Sequence, residues 1–202
     1  MRKVKIAVLV SGGGTNLQAL IDSQKNGVIK NGEIVLVVSN KETAFALERA
    51  KKAKVKTRVV TKTGKSREEF ESDLIKVLRD DRIELVVLAG FMVILSERFT
   101  STFKDRIINV HPSLIPSFCG EGFYGLKVHE KALEYGVKVT GATVHFVNEI
   151  PDGGKIIMQK PVEVLEGDTP EILQERVMKQ AEWIILPLAT EKVCSDILKG
   201  EM

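Results

Sequence analysis

Near its start the chain reads Ile6-Ala7-Val8-Leu9-Val10-Ser11-Gly12-Gly13-Gly14-Thr15-Asn16. A near-continuous apolar run is typical of a central strand buried on both faces, and the glycines let the backbone turn sharply into a helix. The N–H groups at such a helix start favour a bound phosphate. The spacing matches neither a dinucleotide fingerprint nor a Walker loop, so the stretch indicates either a phosphate monoester site or a plain turn capped by Thr15 or Asn16.

Short Val- and Ile-rich runs alternate with amphipathic stretches through the first 110 residues. They predict strands at 6–10, 34–38, 57–60, 85–89 and 107–110, and helices at 15–24, 43–52 and 66–79. Ser66 and Glu69 have the spacing of a capping box. The later pattern predicts a long loop to residue 126, a helix at 127–135, antiparallel strands at 138–147 and 155–164, and a final helix from 169 into the 180s.

This alternation predicts an α/β fold with a Rossmann-like, mostly parallel twisted sheet. We expect helices on both faces of the sheet and an extension by the antiparallel C-terminal strands. No linker or repeat interrupts the pattern, so residues 1–202 are predicted to form a single domain.

The charge pattern narrows the class of partner. The 202 residues carry 30 basic and 27 acidic side chains, which are interleaved, whereas a nucleic-acid footprint needs basic residues on one face. No apolar run approaches the roughly 18 residues of a membrane span, and Cys119 and Cys194 lack the paired spacing of a zinc site. We expect a cytoplasmic monomer or homodimer that binds small molecules, with no metal, nucleic-acid or membrane partner.

Three polar residues are candidates for the reacting site. Asn109 and His111 share a face at the end of a predicted strand, where ligands of open parallel sheets collect. Asp152 lies in a Pro-Asp-Gly-Gly turn that needs no function to explain it, but near His111 its carboxylate would stabilise the cationic imidazole. His129 and His145 are expected to be core or surface residues.

Six motifs carry a resemblance to a known family. They are Ser11-Gly12-Gly13-Gly14-Thr15-Asn16-Leu17-Gln18, Val38-Ser39-Asn40-Lys41, Leu88-Ala89-Gly90-Phe91-Met92, Asn109-Val110-His111-Pro112-Ser113-Leu114-Ile115-Pro116, Gly141-Ala142-Thr143-Val144-His145-Phe146-Val147 and Asp152-Gly153-Gly154. With them the chain resembles, nearly end to end, the glycinamide ribonucleotide transformylase family of folate-dependent formyltransferases. The resemblance implies transfer of a formyl group from the co-substrate 10-formyltetrahydrofolate to a ribonucleotide amine in purine biosynthesis, without a metal.

The resemblance also implies roles for individual residues. Residues 1–110 would be the half that binds the nucleotide phosphate, and residues 111–202 the folate and catalytic half. The ribonucleotide would be held by Gly14, Thr15, Asn16, Lys179 and Glu182. The folate would be lined by Arg67, Met92, Val93, Ile94, Leu95, Asn109, Asn148, Glu149, Ile150, Pro151 and Asp152.

The catalytic residues implied are Asn109, His111 and Asp152. Asn109 and a protonated His111 would donate hydrogen bonds to the oxyanion that develops on the formyl group. Asp152 would raise the pKa of His111 and help to move a proton from the amine.

The sequence departs from the family pattern at residues 117–126, which form a longer loop, and at Val93, where a basic residue is common. Formyltetrahydrofolate hydrolase is the main alternative, and the position of the first strand is expected to leave no room for that enzyme's leading regulatory domain. Methionyl-tRNA formyltransferase, with an added C-terminal domain, and a binding protein that has lost one catalytic residue are also considered. The glycines of the 117–126 loop suggest a lid over the folate site.

Overall fold

The computed structural model describes residues 2–202, and within them one sheet has seven strands in the order β3-β2-β1-β4-β5-β6-β7. The strands are β1 (Val4–Val10), β2 (Gly32–Ser39), β3 (Lys56–Val59), β4 (Leu85–Leu88), β5 (Ile107–His111), β6 (Val139–Phe146) and β7 (Ile156–Glu163). The first five pair in parallel, and β6 and β7 add to them as antiparallel strands. This topology confirms the predicted fold class.

Helices cover both faces of the sheet. They are α1 (Thr15–Lys25), α2 (Phe45–Lys52), α3 (Arg67–Asp80), α4 (Glu97–Thr102), α5 (Leu126–Tyr135), α6 (Pro170–Val177) and α7 (Trp183–Lys199). Alternate residues of β1 enter two separate cores: Ile6 and Val8 pack with residues of α1 and α7, whereas Ala7 and Leu9 pack with α3 and α4. Burial of both strand faces explains the unbroken apolar run Ile6–Val10 in which β1 ends.

Three helical features differ from the prediction. Helix α2 begins at Phe45, two residues later than expected, and α4 was not predicted because six residues are too short to show a helical period. The final helix is interrupted by a π-helical turn, Met178–Glu182, before it continues as α7. The capping box at Ser66 and Glu69 is confirmed.

The antiparallel extension positions the site. Asn109 of β5 pairs with His145 of β6, and the turn before β7 follows directly. The carboxyl ends of β1, β4 and β5 therefore meet the start of this turn at one edge of the sheet. Among residues 2–202, no helix is both long and apolar enough to cross a membrane.

Candidate functional site

A cavity of about 860 Å³ lies at the carboxyl ends of the parallel strands. It brings together all three predicted catalytic residues and most of the predicted binding residues. The predicted residues that line it are Asn16, Met92, Val93, Ile94, Leu95, Asn109, His111, Asn148, Glu149, Ile150, Pro151, Asp152 and Glu182.

Both ring nitrogens of His111 are engaged. Nδ1 lies 3.4 Å from Oδ2 of Asp152, and Nε2 lies 2.8 Å from the carbonyl oxygen of Phe118 in the 117–126 loop. A carbonyl only accepts hydrogen bonds, so Nε2 of His111 carries a proton and donates it. The ring is held as the tautomer whose Nδ1 faces the carboxylate.

Asn109 is oriented by a second histidine. Its Nδ2 lies 3.2 Å from Nε2 of His145, and Nδ1 of His145 lies 2.7 Å from the carbonyl oxygen of Phe146. Because that carbonyl takes the Nδ1 proton, Nε2 of a neutral His145 accepts from the amide of Asn109. The β5–β6 register thus holds the Asn109 side chain against an imidazole.

Asp152 occupies a strained turn. Its φ is +55°, a conformation that Asp tolerates better than most residues. A Cβ on Gly154 would lie 1.7 Å from the carbonyl oxygen of Phe146, so only glycine lets the turn approach β6 this closely. The carboxylate then accepts from the N–H of Gly120 at 2.9 Å and lies 3.5 Å from Nε2 of His145.

Burial changes the expected ionisation of His111. It lowers the pKa of His111 below its ordinary value, and the opposing effect of Asp152 does not compensate. In this closed arrangement, where only 4% of the residue is exposed, burial thus disfavours the cationic imidazole that was expected from the sequence, whereas Asp152 favours it. Burial also raises the pKa of Asp152, but its histidine contacts and the Gly120 N–H outweigh this and leave the pKa below its ordinary value.

The glycine loop presents an uncapped helix start. Gly14 is the N-cap of α1 with φ +73°, and no side chain in residues 2–202 caps it. Capping by Thr15 or Asn16, the alternative considered from the sequence, is thus not observed. The amide of Asn16 instead donates to Oε2 of Glu182 at 2.7 Å, so the first-turn N–H groups have no side-chain acceptor.

Glu182 reaches this partner through the π-helical turn. The residue is only 6% exposed, and burial raises the pKa of its carboxyl group against the opposing effect of Asn16. A π-helical turn inserts one extra residue into a helix and occurs frequently at functional sites. Here it ends on the residue that joins the last helix to the first.

Four predicted binding residues do not line the cavity. Gly14 and Thr15 lie beside it in the glycine loop, and Lys179 is exposed and paired with Glu175. Arg67 is also exposed, but it donates to the backbone oxygen of Ile94 at 3.1 Å and so borders the cavity wall.

The sequence reasoning missed other cavity residues. His145 and His129 were expected to be structural, yet both line the cavity, as do Gln174 and Gly120. The register of β5 against β6 would have revealed His145, but that register depends on contacts between distant residues. Nothing in the local sequence distinguishes His129 from an ordinary helix residue.

Comparisons with known proteins agree with this geometry. The family model described as Formyl transferase matches residues 4–190. Phosphoribosylglycinamide formyltransferase of Escherichia coli (strain K12) is 43% identical over 186 residues, which cover 92% of this chain and 84% of the relative. The crystal structure of glycinamide ribonucleotide transformylase 1 from Symbiobacterium toebii aligns with a TM-score of 0.89 at 41% identity and covers 96% of this chain and 88% of that one.

A longer relative also matches. The trifunctional purine biosynthetic protein adenosine-3 of Gallus gallus is 50% identical over 194 residues, or 96% of this chain. The chain spans only 19% of that relative's length. The resemblance inferred from the motifs is confirmed, and the chain belongs to the formyl transferase family.

Proposed function

We propose that this protein transfers the formyl group of 10-formyltetrahydrofolate to the amine of glycinamide ribonucleotide. The observation that carries the proposal is the convergence of Asn109, His111 and Asp152 on a cavity that also reaches Asn16 and Glu182. The relatives, phosphoribosylglycinamide formyltransferase among them, favour transfer to an amine over hydrolysis.

Two hydrogen-bond donors would stabilise the reacting centre. As the amine attacks the formyl carbon, negative charge develops on the formyl oxygen, and the amide of Asn109 and Nε2–H of His111 would donate to it. When this tetrahedral intermediate collapses, the bond between the formyl carbon and the folate nitrogen breaks, and the departing nitrogen takes the proton that the amine gives up, with help from Asp152. A neutral imidazole suffices for this role, since its Nε2 carries a proton. The carboxylate of Asp152 then favours proton uptake at Nδ1, which lies 3.4 Å away.

The 117–126 loop must yield before this chemistry. The Phe118 carbonyl occupies Nε2 of His111, and the Gly120 N–H occupies the Asp152 carboxylate. The formyl oxygen can accept a hydrogen bond from Nε2–H only after the Phe118 carbonyl has moved away. These two backbone contacts support the lid expected from the glycines of the loop.

The substrates divide between the two ends of the cavity. The N–H groups at the start of α1, with Gly14, Thr15 and Asn16, would bind the phosphate, and Glu182 with Lys179 would lie towards the ribose and amine. Met92, Ile94 and Ile150 are exposed apolar side chains in the lining of the cavity and would provide an apolar surface for the pterin ring, with the polar residues of 148–152 beside it. Arg67 at its edge would meet the glutamyl tail.

The deciding experiment measures amine-dependent transfer. The protein is mixed with 10-formyltetrahydrofolate, with or without glycinamide ribonucleotide, and formylated ribonucleotide and free formate are quantified separately. We expect ribonucleotide-dependent product and little formate. Formate release at the same rate without the ribonucleotide would instead establish the hydrolase.

A further inference from the structure

His129 is a buried cavity residue without a partner. It lies on α5, is 0% exposed, and lines the same cavity as His111, Asn16 and Glu182. Neither of its ring nitrogens has a hydrogen-bond partner among the described residues. The Oδ1 atom of Asn16, in the same cavity, also lacks one.

Burying both ring nitrogens without partners is energetically unfavourable for the fold. A buried polar group without a partner destabilises a fold, and the great majority of buried polar atoms in proteins are paired. If His129 served only to fill space in the core, an apolar side chain could replace it without loss of stability. The position of the ring in the cavity wall points to a partner that arrives with a ligand.

The charge of His129 narrows the ligand group. Burial, with a smaller contribution from the His111 imidazole, lowers the pKa of His129 to about 4. At neutral pH the ring is therefore uncharged, with one N–H donor and one lone-pair acceptor. Such a ring suits an uncharged group that both donates and accepts, such as a hydroxyl, an amide or a free amine, better than a phosphate or carboxylate.

We expect withdrawal of the 117–126 loop to expose both His111 and His129 to the cavity. His111 and His129 are 4% and 0% exposed although both line the cavity, and the backbone at Phe118 and Gly120 binds His111 and its partner Asp152. His129 stands three residues after the loop ends at Leu126. The loop that covers His111 thus leads directly into the helix that carries His129.

We propose that His129 is a substrate-contact residue that hydrogen bonds to the uncharged glycinamide or ribose part of the amine substrate once the loop withdraws. The assignment rests on the proposed function and names a contact beyond Asn109, His111 and Asp152. It also explains why a fold would retain a neutral, unpartnered imidazole at this position.

The test compares His129→Leu and His129→Gln with Thr140→Val as the matched control. Thr140 is also buried with an unpartnered side-chain oxygen, but it does not line the cavity. Ligand-free melting temperature, calorimetric Kd for glycinamide ribonucleotide and KM for 10-formyltetrahydrofolate are measured for each.

We expect His129→Leu to melt at or above the wild-type temperature while its Kd for the ribonucleotide rises about tenfold or more, the change that 1.4 kcal/mol produces. The KM for the folate should stay unchanged, His129→Gln should recover part of the affinity, and Thr140→Val should keep wild-type affinity. A lower melting temperature for His129→Leu with unchanged Kd would overturn the assignment and make the residue structural. If wild type itself neither binds nor formylates the ribonucleotide, the proposed function falls as well, whereas wild-type transfer with an unaffected His129→Leu refutes only the His129 contact.

Discussion

At the scale of single residues, the site depends on which nitrogen carries which proton. The Phe118 carbonyl holds the proton of His111 on Nε2, and the Phe146 carbonyl holds that of His145 on Nδ1. Backbone oxygens thus select both tautomers, and Asp152 faces a nitrogen of each ring. The carboxylate is the one negative group that both imidazoles of this cluster share.

Replacing Asp152 by Asn should separate chemistry from binding. The variant keeps the shape of the side chain and an oxygen for the Gly120 N–H, but it removes the charge that favours proton uptake at His111. We expect kcat to fall by about 10²–10⁴-fold, with little change in KM for the ribonucleotide. Steady-state kinetics test this, with Glu149→Gln, which removes a carboxylate from the same turn, as control. Equal losses in the two variants would contradict the role of Asp152.

His129 should also make the free energy of unfolding depend on pH. The folded pKa of about 4 lies below the ordinary 6.5, so the unfolded chain binds the proton first as the pH falls. Above about pH 6.5 the ring is neutral in both states and the linkage has no effect, and as the pH drops towards 4 protonation of the unfolded chain lowers the free energy of unfolding by up to about 3 kcal/mol. Urea denaturation between pH 4 and 7 should show a shallower loss in His129→Leu than in wild type. Parallel curves would mean that His129 titrates normally in the folded state.

At the scale of elements, the glycine loop and the 117–126 loop set the two ends of the cavity. The glycine loop places the start of α1 beside Ala46 of α2. The backbone of the 117–126 loop forms hydrogen bonds with His111 and Asp152. Each depends on a conformation or a close approach that side chains would disturb.

Gly14→Ala should destabilise the turn into α1. Its φ of +73° is unfavourable for an L residue, and the new Cβ would lie 2.6 Å from Cβ of Ala46. Gly13→Ala is the matched control, because a Cβ there meets no atom of the described residues within 4 Å. We expect a clear drop in melting temperature and a higher ribonucleotide KM for Gly14→Ala, and only a small drop in melting temperature for Gly13→Ala. A similar stability for both variants would show that the contact with Ala46 is not limiting.

Phe118→Ala should loosen the loop over His111. The Phe118 ring packs edge-on against Tyr135 at 6.0 Å and against Phe123 at 6.3 Å. Burial is the largest cause that lowers the pKa of His111, so greater exposure should raise this pKa towards its ordinary value. NMR titration of the His111 ring in the variant and in wild type measures it. An unchanged His111 pKa would show that the loop stays closed without this packing.

At the scale of the whole molecule, the first and last helices meet in one buried hydrogen bond. Asn16 and Glu182 are 166 positions apart, yet the amide and the carboxyl group lie 2.7 Å from each other. The π-helical turn places Glu182 inside while α7 continues to pack on the sheet. The end of the cavity that is proposed to bind the ribonucleotide therefore forms only when α1 and the helical segment that carries Glu182 pack together.

Asn16→Ala should test this connection. The variant leaves the buried Glu182 without its donor, a loss of about 1–3 kcal/mol, or several degrees in melting temperature for a chain of this size. Glu182→Gln, which keeps an oxygen for the Asn16 amide, should stay near wild-type stability while it weakens ribonucleotide binding. Thermal denaturation of both variants measures these effects. An Asn16→Ala variant with the melting temperature of wild type would show that the hydrogen bond contributes little to stability.

Local sequence patterns determined the architecture of this protein. The apolar run of β1, the alternation of strands with helices, the capping box at Ser66 and the turn at Asp152 are each set by neighbouring residues, so the fold class and the placement of Asn109 with His111 could be predicted. The family motifs linked Asp152 to them, which its turn sequence alone does not.

Only the tertiary structure decided how the site is completed. The pairing of Asn109 with His145 and the hydrogen bond of Asn16 with Glu182 join residues far apart in the chain. The loop carbonyl on His111 and the burial of the His129 ring depend on how the loop and α5 pack on the sheet. Burial likewise lowers the pKa of His111 against the expected effect of Asp152, because the free energy of desolvation depends on everything packed around a group and not on its neighbours in sequence.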